Sequence, residues 1–210
     1  MLLRENRLED KVANLKIMVT RGEAPHPGLP FQKHPTVCAT AQEYLCPAPG
    51  LYEGGIRLHL YDEGFAPPLA RHKSLNYLYY LAARQAAMDH GCSEAVLMDG
   101  RGRITETSAG SLLARSRGRW WTPKAKFRLT GITLRELSQI FLETGKNVEE
   151  REARLEDLQR AETVWVLNSL MGIMPAATVN GCPIADPVPD EAARLRNLLF
   201  ERGQSESFTD

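Results

Sequence analysis

Residues 94–122, EAVLMDGRGRITETSAGSLLARSRGRWWT, hold two hairpins in a row. EAVLMD (94–99) and RITET (103–107) flank Gly100-Arg101-Gly102; SLLARS (111–116) and RWWT (119–122) flank Arg117-Gly118. Short apolar runs split by glycine-bearing turns predict antiparallel strand pairs. Just upstream the period changes. SLNYLYYLAARQAAMDHG places Leu75, Leu78, Leu81, Ala82, Gln85, Ala86 and Met88 at helical spacings, and Gly91 is a stop signal. Downstream, a helix starts near Gly131 and runs through ITLRELSQIFLETG to Gly145. VEEREA (148–153) reads as a strand, LEDLQRA (155–161) as a short helix, and TVWVLNS (163–169) as a nearly all-apolar buried strand. A last hairpin turns at Asn180-Gly181 and a final helix covers about 190–202.

The N-terminal part is different in texture. Residues 1–14 have a helical look, with Leu2, Leu3, Leu8, Val12 and Leu15. LKIMVT (15–20), TVCATAQEYL (36–45) and IRLHLY (56–61) read as strands, RGEAPHPGLP (21–30) as a loop and CPAPGLYEGG (46–55) as a turn region. The prolines in GFAPPLARHK (64–73) predict an extended segment there. The predicted fold class is α/β, of α+β type. Residues 1–62 are expected to form a small α/β lobe, 63–73 a linker and 74–210 a larger hairpin-rich lobe with packed helices, with a ligand cleft between the lobes.

Composition narrows the function. The 210 residues are 43% hydrophobic and 25% charged, with 26 basic and 26 acidic side chains. Zero net charge argues against nucleic acid or an anionic membrane surface as the main partner. No apolar run approaches a membrane span, and MLLRENRLEDK is no secretory signal, so a cytoplasmic protein is expected. Cys38, Cys46, Cys92 and Cys182 lack metal-site spacing and read as reduced, partly buried thiols; with five scattered histidines, no metal is expected.

Four places carry candidate chemistry. Lys73 ends the proline-bearing segment just before an apolar helix, where desolvation would lower its pKa and make it a nucleophile; a solvated surface lysine is the ordinary alternative. Glu106 is followed by the small residues Thr107, Ser108, Ala109 and Gly110, which leave space for a flat ligand; a strand-end glutamate facing water is the alternative. Thr130-Gly131-Ile132-Thr133 opens a helix and presents N–H groups to an anion, or is an ordinary cap. Asn168-Ser169 ends the buried strand, where its polar groups need a phosphate or a neighbouring backbone.

Taken together, in this order and spacing, these residues resemble the class IV aminotransferase family, the fold type IV pyridoxal-phosphate enzymes. The resemblance is carried by the run from RHKSLNYLYY to RGRWWTP, then LTGIT, then VWVLNSLMGIMPAATVNGCPI. That family includes branched-chain and D-amino acid aminotransferases and 4-amino-4-deoxychorismate lyases, and NSLMGIMP looks most like the lyase branch.

The resemblance implies a pyridoxal 5'-phosphate cofactor. Lys73 falls on the lysine that forms the Schiff base and shuttles a proton. Glu106 falls on the carboxylate that faces the pyridine nitrogen. Gly131, Ile132 and Thr133 fall on the helix end that holds the phosphate, with Asn168 and Ser169 at its second contact. Tyr77 would approach the ring, and Arg21 of VTRG would take the substrate carboxylate.

The resemblance also implies a small-molecule amino substrate and a homodimer. Ser111 departs from an asparagine found in many relatives. The stretch before VTRG is short for the family, so residues 1–62 are expected to be a truncated small lobe. Without that lobe's phosphate-binding arginine, Arg128 and Arg135 are the nearest substitutes in sequence. Lyase or aminotransferase activity is expected, and a non-catalytic remnant or partner subunit is the alternative of another class.

Overall fold

The computed structural model describes residues 2–23, 26, 28, 34–63, 67–187 and 189–205, and the chain divides into two units, Met1–Cys46 and Pro47–Asp210. The first holds α1 (Leu2–Glu5) and an antiparallel pair, β1 (Ala13–Val19) and β2 (Val37–Glu43), in register from Ala13 opposite Glu43 to Val19 opposite Val37. Lys11 closes the open end on Glu43 at 2.5 Å. The helix expected over 1–14 is one turn long. The Asn6 amide takes the Leu2 carbonyl, Arg7 enters the left-handed region at φ 56°, and Leu8 turns inward. Part of the 21–30 loop lies outside the described residues.

The second unit starts with α2 (Pro49–Gly54), where the sequence suggested only a turn. Pro49 suits a first helical turn because its missing N–H is not needed there. Gly55, at φ 76°, ends the helix, and a Cβ there would lie 2.8 Å from the Ala177 nitrogen. β3 (Ile56–Tyr61) follows. It pairs in parallel with two strands of the main sheet, so residues 47–62 belong to the larger unit, and the division falls at Cys46 rather than in 63–73. Residues 67–73 form turns with Ala70 buried, not an extended linker.

The remaining elements are α3 (Leu78–Asp89), β4 (Glu94–Met98), β5 (Ile104–Thr107), β6 (Ser111–Ser116), β7 (Arg119–Pro123), α4 (Ile132–Glu143), β8 (Val148–Arg151), α5 (Leu155–Gln159), β9 (Thr163–Asn168), β10 (Gly172–Val179), β11 (Cys182–Pro183) and α6 (Pro189–Ser205). The sheet order is β5-β4-β3-β10-β9-β6-β7-β8, with β11 on β10. Parallel neighbours need a crossover: α3 supplies it between β3 and β4, and α4 between β7 and β8. The other pairs are antiparallel apart from β3 with β10. β5 also lies against β6 and β7, so the sheet curls on itself.

The curl buries both faces of β6 and β9. Leu112, Ala114, Val164 and Val166 point into a core with Ile56, Leu58, Val96 and Met174. Leu113, Trp165 and Leu167 point the other way, onto Leu134, Leu137 and Phe141 of α4 and Leu195 of α6. Two buried faces explain why 163–169 reads as a continuous apolar run.

On α3 the helical period holds but the inward face is small. Ala83 and Ala87 are buried, whereas Leu75, Leu78, Leu81 and Met88 are exposed. The helix stops where expected: Gly91 takes φ 67° and the Cys92 N–H returns to the Ala87 carbonyl. All four cysteines are free thiols, Cys38 and Cys46 exposed and Cys92 and Cys182 half-buried. No helix among the described residues is long and apolar enough to cross a membrane.

Candidate active site

Glu106 sits in β5 on a curled sheet, so its side chain is taken from water on most sides. It is 7% exposed. Burial pushes its carboxyl up to about 7. The Leu129 N–H, the Tyr80 hydroxyl and the charges of Arg128 and Lys73 pull the other way. The Leu129 N–H donates to Oε2 at 3.0 Å and the Tyr80 hydroxyl to Oε1 at 3.3 Å. Lys73 is therefore within electrostatic reach of Glu106. It is itself exposed, which corrects the expectation of a desolvated amine: Leu75, Leu78 and Leu81, the leucines that follow it, are exposed as well and give it no apolar cover.

The Leu129 contact brings in the start of α4. Gly131 is its N-cap and no side chain caps the first turn, so the N–H groups there keep their donor capacity. A Cβ on Gly131 would collide with Ser111 Oγ, so Ser111, the departure from the family pattern, packs the head of β6 against the head of α4. Thr133 is buried and Ile132 exposed. Ser111 also lies opposite Leu167 in the β6–β9 ladder. That register brings Asn168 and Ser169 to the same end of the sheet.

Asn168 has a structural task there. Its Nδ2 donates to the Ala109 carbonyl at 3.2 Å, and its Oδ1 accepts the N–H groups of Leu170 (3.0 Å) and Met171 (2.9 Å). It therefore holds two turns together. Ser169 is exposed at the head of the second turn. Tyr77 donates its hydroxyl to the Ser108 carbonyl at 2.9 Å and stacks on Tyr80, centroids 5.2 Å apart at 23°.

Two participants escaped the sequence reading. Tyr80 was hidden among the apolar residues of the helix. Glu94 looked like an ordinary first residue of a strand, yet it is 3% exposed. Its Oε1 accepts the Ala95 N–H at 2.9 Å, the Ser108 N–H at 3.1 Å and the Ser108 hydroxyl, and Arg84 lies 3.5 Å from Oε2. The E-A-V-L spacing after a helix stop was the available signal, because a charged residue at the head of a fully buried strand needs partners.

Lys73, Tyr77, Glu106, Gly131, Ile132, Thr133, Asn168 and Ser169 thus all belong to the second unit, and register and contacts gather them at one end of its sheet. Arg21 follows β1 in the first unit and is exposed. Arg128 is buried and paired with Glu150 at 2.5 Å, and Arg135 pairs with Glu136 at 3.2 Å. A cavity of about 610 Å³ lined by Arg115, Trp120 and Lys146 opens at the other end of β6. Arg119 lines it too; of its cations Arg115 serves the carboxylates of Glu162, Asp186 and Glu191, and Lys146 that of Glu191.

Comparison with known proteins bears on the family and the fold. The chain is 30% identical over 118 residues to the D-alanine aminotransferase of Bacillus licheniformis, a match covering 56% of this chain and 41% of that protein. It is 26% identical over 178 residues to the aminodeoxychorismate lyase of Vibrio harveyi, covering 82% and 65%. The chain thus spans less than two thirds of the length of these relatives. Its fold is that of the T.th. branched-chain amino acid aminotransferase complexed with N-(5'-phosphopyridoxyl)-L-glutamate, with a TM-score of 0.79, 23% identity, and coverage of 95% of this chain and 66% of that one. The family model for amino-transferase class IV matches residues 1–179, and the chain belongs to that family.

Proposed function

We propose that this chain is a pyridoxal-phosphate-dependent enzyme acting on the amino group of a small molecule. The observation that carries the reading is the buried Glu106 carboxyl, set between the charge of Lys73 and the uncapped start of α4. A flat cationic ring bearing an anion fits those groups: Glu106 for the ring nitrogen, and the N–H groups of Ile132 and Thr133 with the hydroxyls of Thr133 and Ser169 for the phosphate. When bound, pyridoxal phosphate supplies an electron sink for a bond breaking at the amine-bearing carbon. Glu106 would keep a proton on the ring nitrogen. Lys73 would hold the cofactor covalently and move a proton at the reacting carbon. Tyr77, with its hydroxyl on Ser108, presents its ring rather than its oxygen.

Within this class the reading is aminodeoxychorismate lyase, which would release pyruvate and 4-aminobenzoate on the way to folate. It is supported by the Vibrio harveyi relative, whose match runs along 82% of the chain. A second reading, transamination of a D-amino acid, is favoured by the higher identity to the D-alanine aminotransferase; branched-chain amino acids are the further substrate class. Assay with aminodeoxychorismate, and with D-alanine or leucine plus 2-oxoglutarate, separates them. A homodimer in the cytoplasm belongs to the same reading, and Leu75, Leu78, Leu81 and Met88 offer it an exposed apolar surface.

Borohydride treatment of the protein with pyridoxal phosphate, followed by peptide mapping, should place the label on Lys73. Label on Lys124 or Lys126 would overturn the site. Thr133→Val should weaken cofactor binding roughly five- to tenfold, the loss of one hydrogen bond to an anion.

A further inference from the structure

Tyr80 is the only side chain among the described residues that donates a hydrogen bond to Glu106, and the geometry leaves it little freedom to do anything else. Its ring is stacked on Tyr77 at 5.2 Å and meets the edge of Tyr79 at 5.5 Å and 80°. Tyr79 in turn meets Tyr61 of β3 edge-on at 5.7 Å. Aromatic rings packed on two sides lose their rotamer choice, so the Tyr80 hydroxyl is held toward Oε1 before any ligand arrives. Oε2 is held by a backbone N–H, which no side-chain substitution removes.

We propose that Tyr80 is a positioning residue for Glu106: it fixes the direction of the carboxyl and favours its ionised form through the hydroxyl it donates to Oε1. This rests on the reading that Glu106 meets the cofactor ring, but only for its consequence. The effect on Glu106 itself exists without cofactor. The argument is one of competition. Burial favours a neutral carboxyl, and a neutral carboxyl cannot keep a proton on a ring nitrogen. A phenol held in place donates to the charged form and shifts the balance back. The other groups whose fields reach Glu106 are Lys73 before α3, the phenols of Tyr77 at the N-cap of α3 and Tyr79 on it, and Arg128 before α4. Of these, Tyr77 gives its hydroxyl to Ser108 and Arg128 its guanidinium to Glu150.

The test is a carboxyl titration of the cofactor-free protein labelled with carbon-13 glutamate, the Glu106 signal being identified by its loss in Glu106→Gln. Tyr80→Phe, which keeps the stacked ring, should raise the ionisation midpoint of Glu106 by up to on the order of one pH unit, the 3.3 Å contact being at the long end for such a bond. Tyr77→Phe should move it clearly less. An unmoved midpoint in Tyr80→Phe, or an equal shift in both variants, would overturn the proposal. A parallel titration with pyridoxal phosphate, followed by absorbance, separates the two levels. In Tyr80→Phe the loss of affinity should be severalfold larger at pH 6.5 than at pH 8.5. Failure of the unaltered protein to bind at either pH would sink the functional reading while the Glu106 midpoint still decides the role of Tyr80.

Discussion

Glu94 and Glu106 lie on neighbouring strands, are about equally buried and both have their carboxyls raised by burial, yet their surroundings differ. Glu94 receives three donors on one oxygen and an arginine near the other. Glu106 receives one donor on each oxygen. A carboxylate has about four lone-pair sites. Glu94 is thus committed within the protein, clamping Ser108 from one side while Tyr77 holds the Ser108 carbonyl from the other. Glu106 keeps acceptor capacity beside Lys73 and the head of α4. The lesson is that two equally buried carboxyls can differ in unspent hydrogen-bonding capacity, and under the proposed function it is the one with capacity left that meets the ring.

Removing Glu94 should give the largest effect. Glu94→Ala takes the acceptor from the Ser108 hydroxyl and the Ala95 N–H, each worth about 1–3 kcal/mol when orphaned, while the Ser108 N–H keeps the Ala95 carbonyl at 3.0 Å; a loss of about 4 kcal/mol is expected in urea unfolding. Glu94→Gln, which keeps one acceptor, should lose less. Wild-type stability in Glu94→Ala would break the comparison.

Glu106 should behave in the opposite sense. Its folded pKa is about 7 against an ordinary 4.5, so it binds extra protons in the folded state. Its favourable contribution is fully present below the ordinary value and is lost as pH rises through about 7. Cofactor-free protein should therefore lose up to about 3 kcal/mol of stability on this account between pH 4.5 and 7. Glu106→Gln should flatten that slope and be about 2 kcal/mol more stable than wild type at pH 8, while losing cofactor-dependent activity. Thermal melts of both proteins across that range would decide it; parallel profiles would show that Glu106 is solvated.

The smallest expected effect sharpens the Ser108 clamp. Tyr77→Phe removes one hydrogen bond to a carbonyl, about 1 kcal/mol, and should be additive with Glu94→Gln only if the two hold Ser108 independently. A double-mutant cycle by urea unfolding measures the coupling.

Local features of the sequence were enough to reach most of the fold. The two hairpins of 94–122, the α4 period and the apolar β9 run depend on neighbours a few residues apart, and these signals survive without tertiary context. Lys73, Glu106 and the Thr130–Thr133 helix start were candidates only through their joint order and spacing and the resemblance that these carry, since each alone has an ordinary structural alternative. What the sequence could not show came from contacts distant in the chain. β3 became part of the main sheet because its partners are β10 and β4, the first of them more than a hundred residues away. Asn168 and Tyr77 have their polar groups taken by the 108–110 turn, which only the closed sheet brings to them. Which of two glutamates is clamped and which keeps lone pairs unused was decided by the curl of that sheet, because hydrogen-bond partners are assigned by proximity in space, and spacing along the chain does not encode it.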